Sequence, residues 1–137
     1  MRTHHVRLNT GPPNHMAFTK RPEAVAQARE TTRTFMSTLH PAVDAQAAAS
    51  VELVVSELVT NAVRHARGAA GSLCLQARAD SITVDVMDAD PRPPRERTPD
   101  LTGGTGGFGW PMVRNLATAV AVTTGTSGKT VRAVLPR

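Results

Sequence analysis

Glu57, Asn61 and His65 stand four residues apart. On a helix that spacing puts a carboxylate, an amide and an imidazole in one nearly axial row. The row borders an apolar stripe of Val51, Val54, Val55, Leu58, Val59, Ala62 and Val63. Polar groups along the rim of a buried face are placed to look into a cleft. A solvated helix face would carry the same residues, but asparagine is a poor choice mid-helix. Asp88 ends a strand-like run whose alternation puts Ile82, Val84 and Val86 on one side. Its parity aims the carboxylate at that core side, where it needs a hydrogen-bond donor. The exocyclic amino group of a purine is one candidate donor. A second reading ends the strand one residue earlier and gives Asp88 to a turn with Ala89-Asp90-Pro91. A third feature is the run Gly103-Gly104-Thr105-Gly106-Gly107-Phe108-Gly109. It stands just before a helix, where free backbone N–H groups and the helix dipole suit a phosphate. A linker would use the same glycines. Neither a Walker loop nor a dinucleotide fingerprint is present, because no Gly-Lys-Ser/Thr and no parallel βαβ unit surrounds the run.

The elements that must position these groups follow from periodicity. Residues 1–15 are polar and broken by Gly11, Pro12 and Pro13, which predicts a flexible arm followed by one domain over 16–137. Met16–Thr19 reads as a short edge strand. Pro22 and Glu23 open a first helix that runs to about Leu39, with Val25, Ala28, Phe35 and Leu39 inward. The helix bearing Glu57 spans roughly Ala42–Ala66. Ser72–Ala79 and Ser81–Asp88 form a hairpin, and Ala119–Thr124 and Thr130–Leu135 form another. Between them lie a long loop, 89–109, and a short helix over Trp110–Ala117. The loop is too long for an ordinary connection, which suits a lid. Helices on one face of a mostly antiparallel sheet satisfy this order: an α+β, two-layer sandwich.

Composition bounds the alternatives. A chain of 137 residues, 40% hydrophobic and 20% charged, fits one globular domain. No apolar run approaches the ~20 residues that span a bilayer, and the amino terminus has no signal-like stretch, so a cytoplasmic protein is expected. A single cysteine, Cys74, excludes an internal disulfide framework and has no neighbours for a metal site. The net charge of +5 invites a nucleic-acid reading. However, the arginines are scattered along the chain, and only Lys20 and Lys129 are lysines.

The run Ser56-Glu57-Leu58-Val59-Thr60-Asn61-Ala62-Val63-Arg64-His65 resembles the N-box of the gyrase/chaperone/histidine-kinase/MutL (GHKL) superfamily, in the branch of anti-sigma-factor serine kinases. Asp88 stands where that superfamily's first nucleotide box begins. Gly107-Phe108-Gly109-Trp110 resembles its second glycine box, and Gly128-Lys129-Thr130-Val131 its final box. The four occur in family order across all of the chain but the arm. The resemblance implies the superfamily's Bergerat-type ATPase fold, with ATP and Mg2+ as cofactors. It makes Glu57 the general base and Asn61 a magnesium ligand, and it puts His65 near the pocket. It gives Asp88 the adenine amino group, with Thr130 supporting that contact directly or through water. It assigns Gly104, Gly106, Gly107, Phe108 and Gly109 to the phosphates. In two places the chain departs from the pattern. Asp88-Ala89-Asp90-Pro91-Arg92 replaces Asp-x-Gly-x-Gly, and Thr105-Gly106 stands where sporulation-type kinases carry a basic residue.

The function implied is an ATP-dependent serine/threonine protein kinase that regulates transcription. It would phosphorylate a serine on an anti-sigma-factor antagonist, take a sigma factor as its other client and form a homodimer. The alternative is a nucleotide-dependent module that sequesters a regulatory partner without phosphorylating it.

Overall fold

The computed structural model describes residues 13–65, 70–89, 109–126 and 128–137. Five strands and three helices follow the order β1 (Asn14–Thr19), α1 (Glu23–Ser37), α2 (Ala45–His65), β2 (Ala70–Ala77), β3 (Ser81–Asp88), α3 (Gly109–Leu116), β4 (Ala119–Gly125) and β5 (Gly128–Pro136). The strands form one antiparallel sheet in the order β1-β2-β3-β5-β4. This is the α+β sandwich that the periodicity predicts, and β1 is an edge strand as expected. It begins two residues earlier than expected, because Asn14 and His15 continue the pairing with Leu75 and Cys74. The last segment of the predicted arm is therefore a strand, while residues 1–12 lie outside the described part.

α2 starts at Ala45 rather than Ala42, and the cause is a cap. The Asp44 Oδ1 accepts the Ala47 N–H at 2.8 Å, satisfying a donor that the first helical turn leaves open. From there the 3.6-residue period carries Val51, Val54, Val55, Leu58, Val59 and Ala62 into the core. They meet Leu73, Leu75, Ile82, Val84, Val86, Val131, Ala133 and Leu135 from the sheet's inner face, and α1 adds Ala28 and Phe35. Burying a Val or Leu side chain is worth about 1.5–3 kcal/mol, so this stripe fixes the rotation of α2 about its own axis. With that rotation fixed, the polar residues beside the stripe cannot choose where they point.

The outer face of the sheet obeys the same alternation. Asp85 and Arg132 sit opposite each other across β3 and β5 and form a two-pronged ion pair, at 2.8 and 2.9 Å. Thr83 shares that face yet is buried, with Gln76 and Val134 directly opposite it on the flanking strands.

Candidate functional site

Two groups of polar residues border the layer between α2 and the sheet. The first is on α2. Glu57 and Asn61 are both half-buried and one turn apart, as the helical row requires. α3 packs against α2, anchored by Val113, which has no exposed surface. The start of α3 lies under the Glu57 carboxylate. Gly109 is buried there, and a Cβ built on it would collide with Glu57 Oε1. The N-box helix and the end of the glycine run thus meet at one carboxylate. Burial pushes the Glu57 carboxyl above its ordinary value, and the Arg64 guanidinium, two turns on, pulls it partly back. A carboxylate moved in this direction is a better proton acceptor than one in water.

The second group is at the end of β3. Asp88 faces inward, as its parity predicts, and its side chain is only 4% exposed. One partner is the ammonium of Lys129, whose Nζ donates to Oδ2 at 3.1 Å and to Oδ1 at 3.3 Å. Lys129 is opposite Asp88 in the β3–β5 register. Gly128, just before it, has φ +149°, and a Cβ on it would run into the carbonyl oxygen of Asp88. Glycine at 128 therefore lets the β4–β5 hairpin close against the last residue of β3.

The register separates two residues that the sequence joins. Thr130 was expected to support the Asp88 contact, but it pairs with Met87, which is 46% exposed on the outer side of the sheet. Directly opposed residues share a face and neighbours alternate, so Thr130 sits on the side away from Asp88. Lys129 takes the inward place. Strand parity would have found it, because counting back from buried Leu135, Ala133 and Val131 lands on 129. His65 is the last residue of α2, and its side chain lies outside the described part. Gly104, Gly106, Gly107, Phe108 and the 90–108 part of the expected lid also lie outside it.

The donor set suits a magnesium ion carried in by phosphates. Among the described residues no cluster of three or more His, Cys, Asp or Glu side chains could hold a metal alone. One amide oxygen from Asn61, completed by phosphate oxygens and water, is ordinary magnesium chemistry. Among the described residues, no helix is long and apolar enough to cross a membrane.

Comparison with known proteins bears on the family and the fold. The family model described as a histidine kinase-like ATPase domain matches residues 18–135. No curated protein matches the sequence significantly. Among solved structures, the RsbU and RsbW domains of Rv1364c from Mycobacterium tuberculosis superpose with a TM-score of 0.66 at 19% identity. That match covers 93% of this chain and 33% of the other. The histidine kinase domain of the blue-light activated histidine kinase from Erythrobacter litoralis EL346 superposes with a TM-score of 0.50 at 22% identity, covering 83% of this chain and 59% of the other. The chain thus spans a third of the first protein and somewhat over half of the second. At these identities the likeness is one of fold.

Proposed function

Because the chain belongs to the family of histidine kinase-like ATPase domains, we propose that it binds ATP with magnesium and phosphorylates a serine of a small antagonist protein in an anti-sigma type of switch. The observation that carries this reading is the Glu57 carboxylate. It is half-buried, moved toward proton-acceptor strength, and seated over Gly109 at the start of α3.

The steps assigned to this chain's residues are few. Asp88, held inward at the end of β3, accepts a hydrogen bond from the adenine amino group. The glycines before α3 let backbone N–H groups approach the phosphates. Asn61 offers its amide oxygen to magnesium, which supplies positive charge to the phosphoryl oxygens when bound. Glu57 takes the proton from the partner's serine hydroxyl as the serine oxygen bonds to the γ-phosphorus. The bond to the bridging oxygen of ADP breaks, and ADP leaves with that electron pair. A sigma factor as the other client and a homodimeric assembly belong to the same reading, supported by the N-box resemblance.

A second reading keeps nucleotide binding and drops the transfer. It is favoured by Thr105-Gly106 just before Gly107, where no basic side chain stands to balance the charge of the moving phosphoryl group. Incubation with labelled ATP, magnesium and candidate antagonist proteins decides between the two. Label on a partner serine is the expected result. ATP-dependent capture of a partner with no label transferred would establish the second reading instead.

A further inference from the structure

The helix row that carries Glu57 also carries a leucine left in water. Among the described residues two large apolar side chains are exposed, Leu53 at 47% and Met87 at 46%. Met87 is on the outer side of the sheet, whereas Leu53 lies one turn before Glu57 on the same face of α2. Side chains on a helix lean toward its amino terminus, so Glu57 starts out toward the turn that Leu53 occupies. Four, seven and eleven residues before Glu57 this face holds Leu53, Ser50 and Gln46, with no charge among them. Glu52 is turned toward α1, where Arg33 Nε donates to its Oε1 at 3.1 Å. Beyond Glu57 the face turns polar and charged, with Asn61 and Arg64. An apolar side chain brought in by a partner is therefore covered at the least desolvation cost on the Leu53 side.

Spacing then says which partner residue meets it. Positions 53 and 57 are about 6 Å apart along the helix axis. In an extended segment, residues two apart point the same way and are about 6.7 Å apart. A segment that brings its serine hydroxyl to Glu57 thus sets the residue two places away over Leu53. We propose that Leu53 is a substrate-reading residue: it takes an apolar side chain two positions from the phosphoacceptor serine of the partner. This rests on the phosphotransfer reading above and adds a sequence preference to it. A lone exposed leucine is ordinary on a protein surface. This one lies beside the group that must meet the serine.

The test uses the antagonist protein that takes label in the assay above, together with two variants of it. One carries alanine two residues before its serine, the other two residues after. Leu53→Ala removes apolar surface at an exposed position, so the chain should keep its wild-type melting temperature and its KM for ATP. Its KM for the partner should rise about three- to tenfold, as expected when a half-exposed leucine loses its cover, with kcat nearly unchanged. One of the two partner variants should raise KM by the same factor with the wild-type chain and add nothing with Leu53→Ala. An unchanged partner KM in Leu53→Ala would overturn the role of Leu53 while leaving phosphoryl transfer intact. So would full additivity with both partner variants, an equal rise in the KM for ATP, or a labelled partner with no apolar side chain at either position. If no candidate antagonist accepts label, the transfer reading itself fails, and this inference with it.

Discussion

Glu57 is in a place where its charge costs stability. Burial raises its pKa in the folded chain, so the folded state holds the proton to higher pH than the unfolded chain does. The stability this group contributes is complete below the ordinary carboxylate pKa, about 4.3. It is lost as pH rises through the folded value. Glu57→Gln removes the titration, so the mutant is expected to melt above wild type at neutral pH. The gap should close as pH falls below the ordinary carboxylate range. Paired thermal melts across that range read it directly. Phosphoryl transfer should respond in the opposite sense. With the proton acceptor gone, partner phosphorylation should fall by roughly 100- to 10,000-fold, while nucleotide affinity changes little. The acid limb of the wild-type rate profile should lie above the ordinary carboxylate range, because the base must be ionised to act. A mutant that kept full transfer would end the general-base assignment.

At the scale of elements, two glycines make different demands. Gly109 opens α3, and what a Cβ there would meet is the tip of the flexible Glu57 side chain. Gly109→Ala should therefore swing the carboxylate away, lowering transfer with little loss of stability. What a Cβ on Gly128 would meet is the backbone of Asp88 and Ala89, at a positive φ. Backbone cannot step aside, so Gly128→Ala should cost about 1–3 kcal/mol and weaken nucleotide binding by displacing the hairpin. Denaturant midpoints and transfer rates measured on both mutants separate the two effects. The reverse pattern would show that neither contact has been read correctly. Much of this scale was legible beforehand. The apolar stripe of α2 and the alternation in β3 oriented Glu57, Asn61 and Asp88, because burial of Val, Leu and Ile side chains leaves the backbone no choice of face. The start of α2 was less legible. Asp44 acts through one side-chain hydrogen bond, which leaves no periodic trace. Motif order puts Thr130 beside Asp88, but strand parity decides. A one-residue step on a strand moves a side chain to the other face, and that step puts Lys129 there in place of Thr130.

At the scale of the whole molecule, the layered arrangement brings residues from distant parts of the chain to one side of the sheet. α2 packs on β3 and β5, and α3 packs on α2. The Glu57–Gly109 contact and the Asp88–Lys129 pair thus both belong to the sandwich's inner side rather than to its outer face, where Asp85 and Arg132 pair. Sheet order was not legible in the sequence. The placement of β5 between β3 and β4 comes from backbone pairing, and hydrophobic pattern alone does not choose among neighbours. That placement puts Lys129 and Gly128 beside Asp88. If Asp88 forms the base end of an adenine nucleotide site, calorimetric titration with ADP and magnesium will show it. The wild-type chain should bind. Asp88→Asn, confirmed folded by circular dichroism, should bind at least about tenfold more weakly, because the amide can present a donor where the adenine amino group needs an acceptor. A wild-type chain with no detectable binding at millimolar nucleotide, or a folded Asp88→Asn chain with unchanged affinity, would contradict the claim.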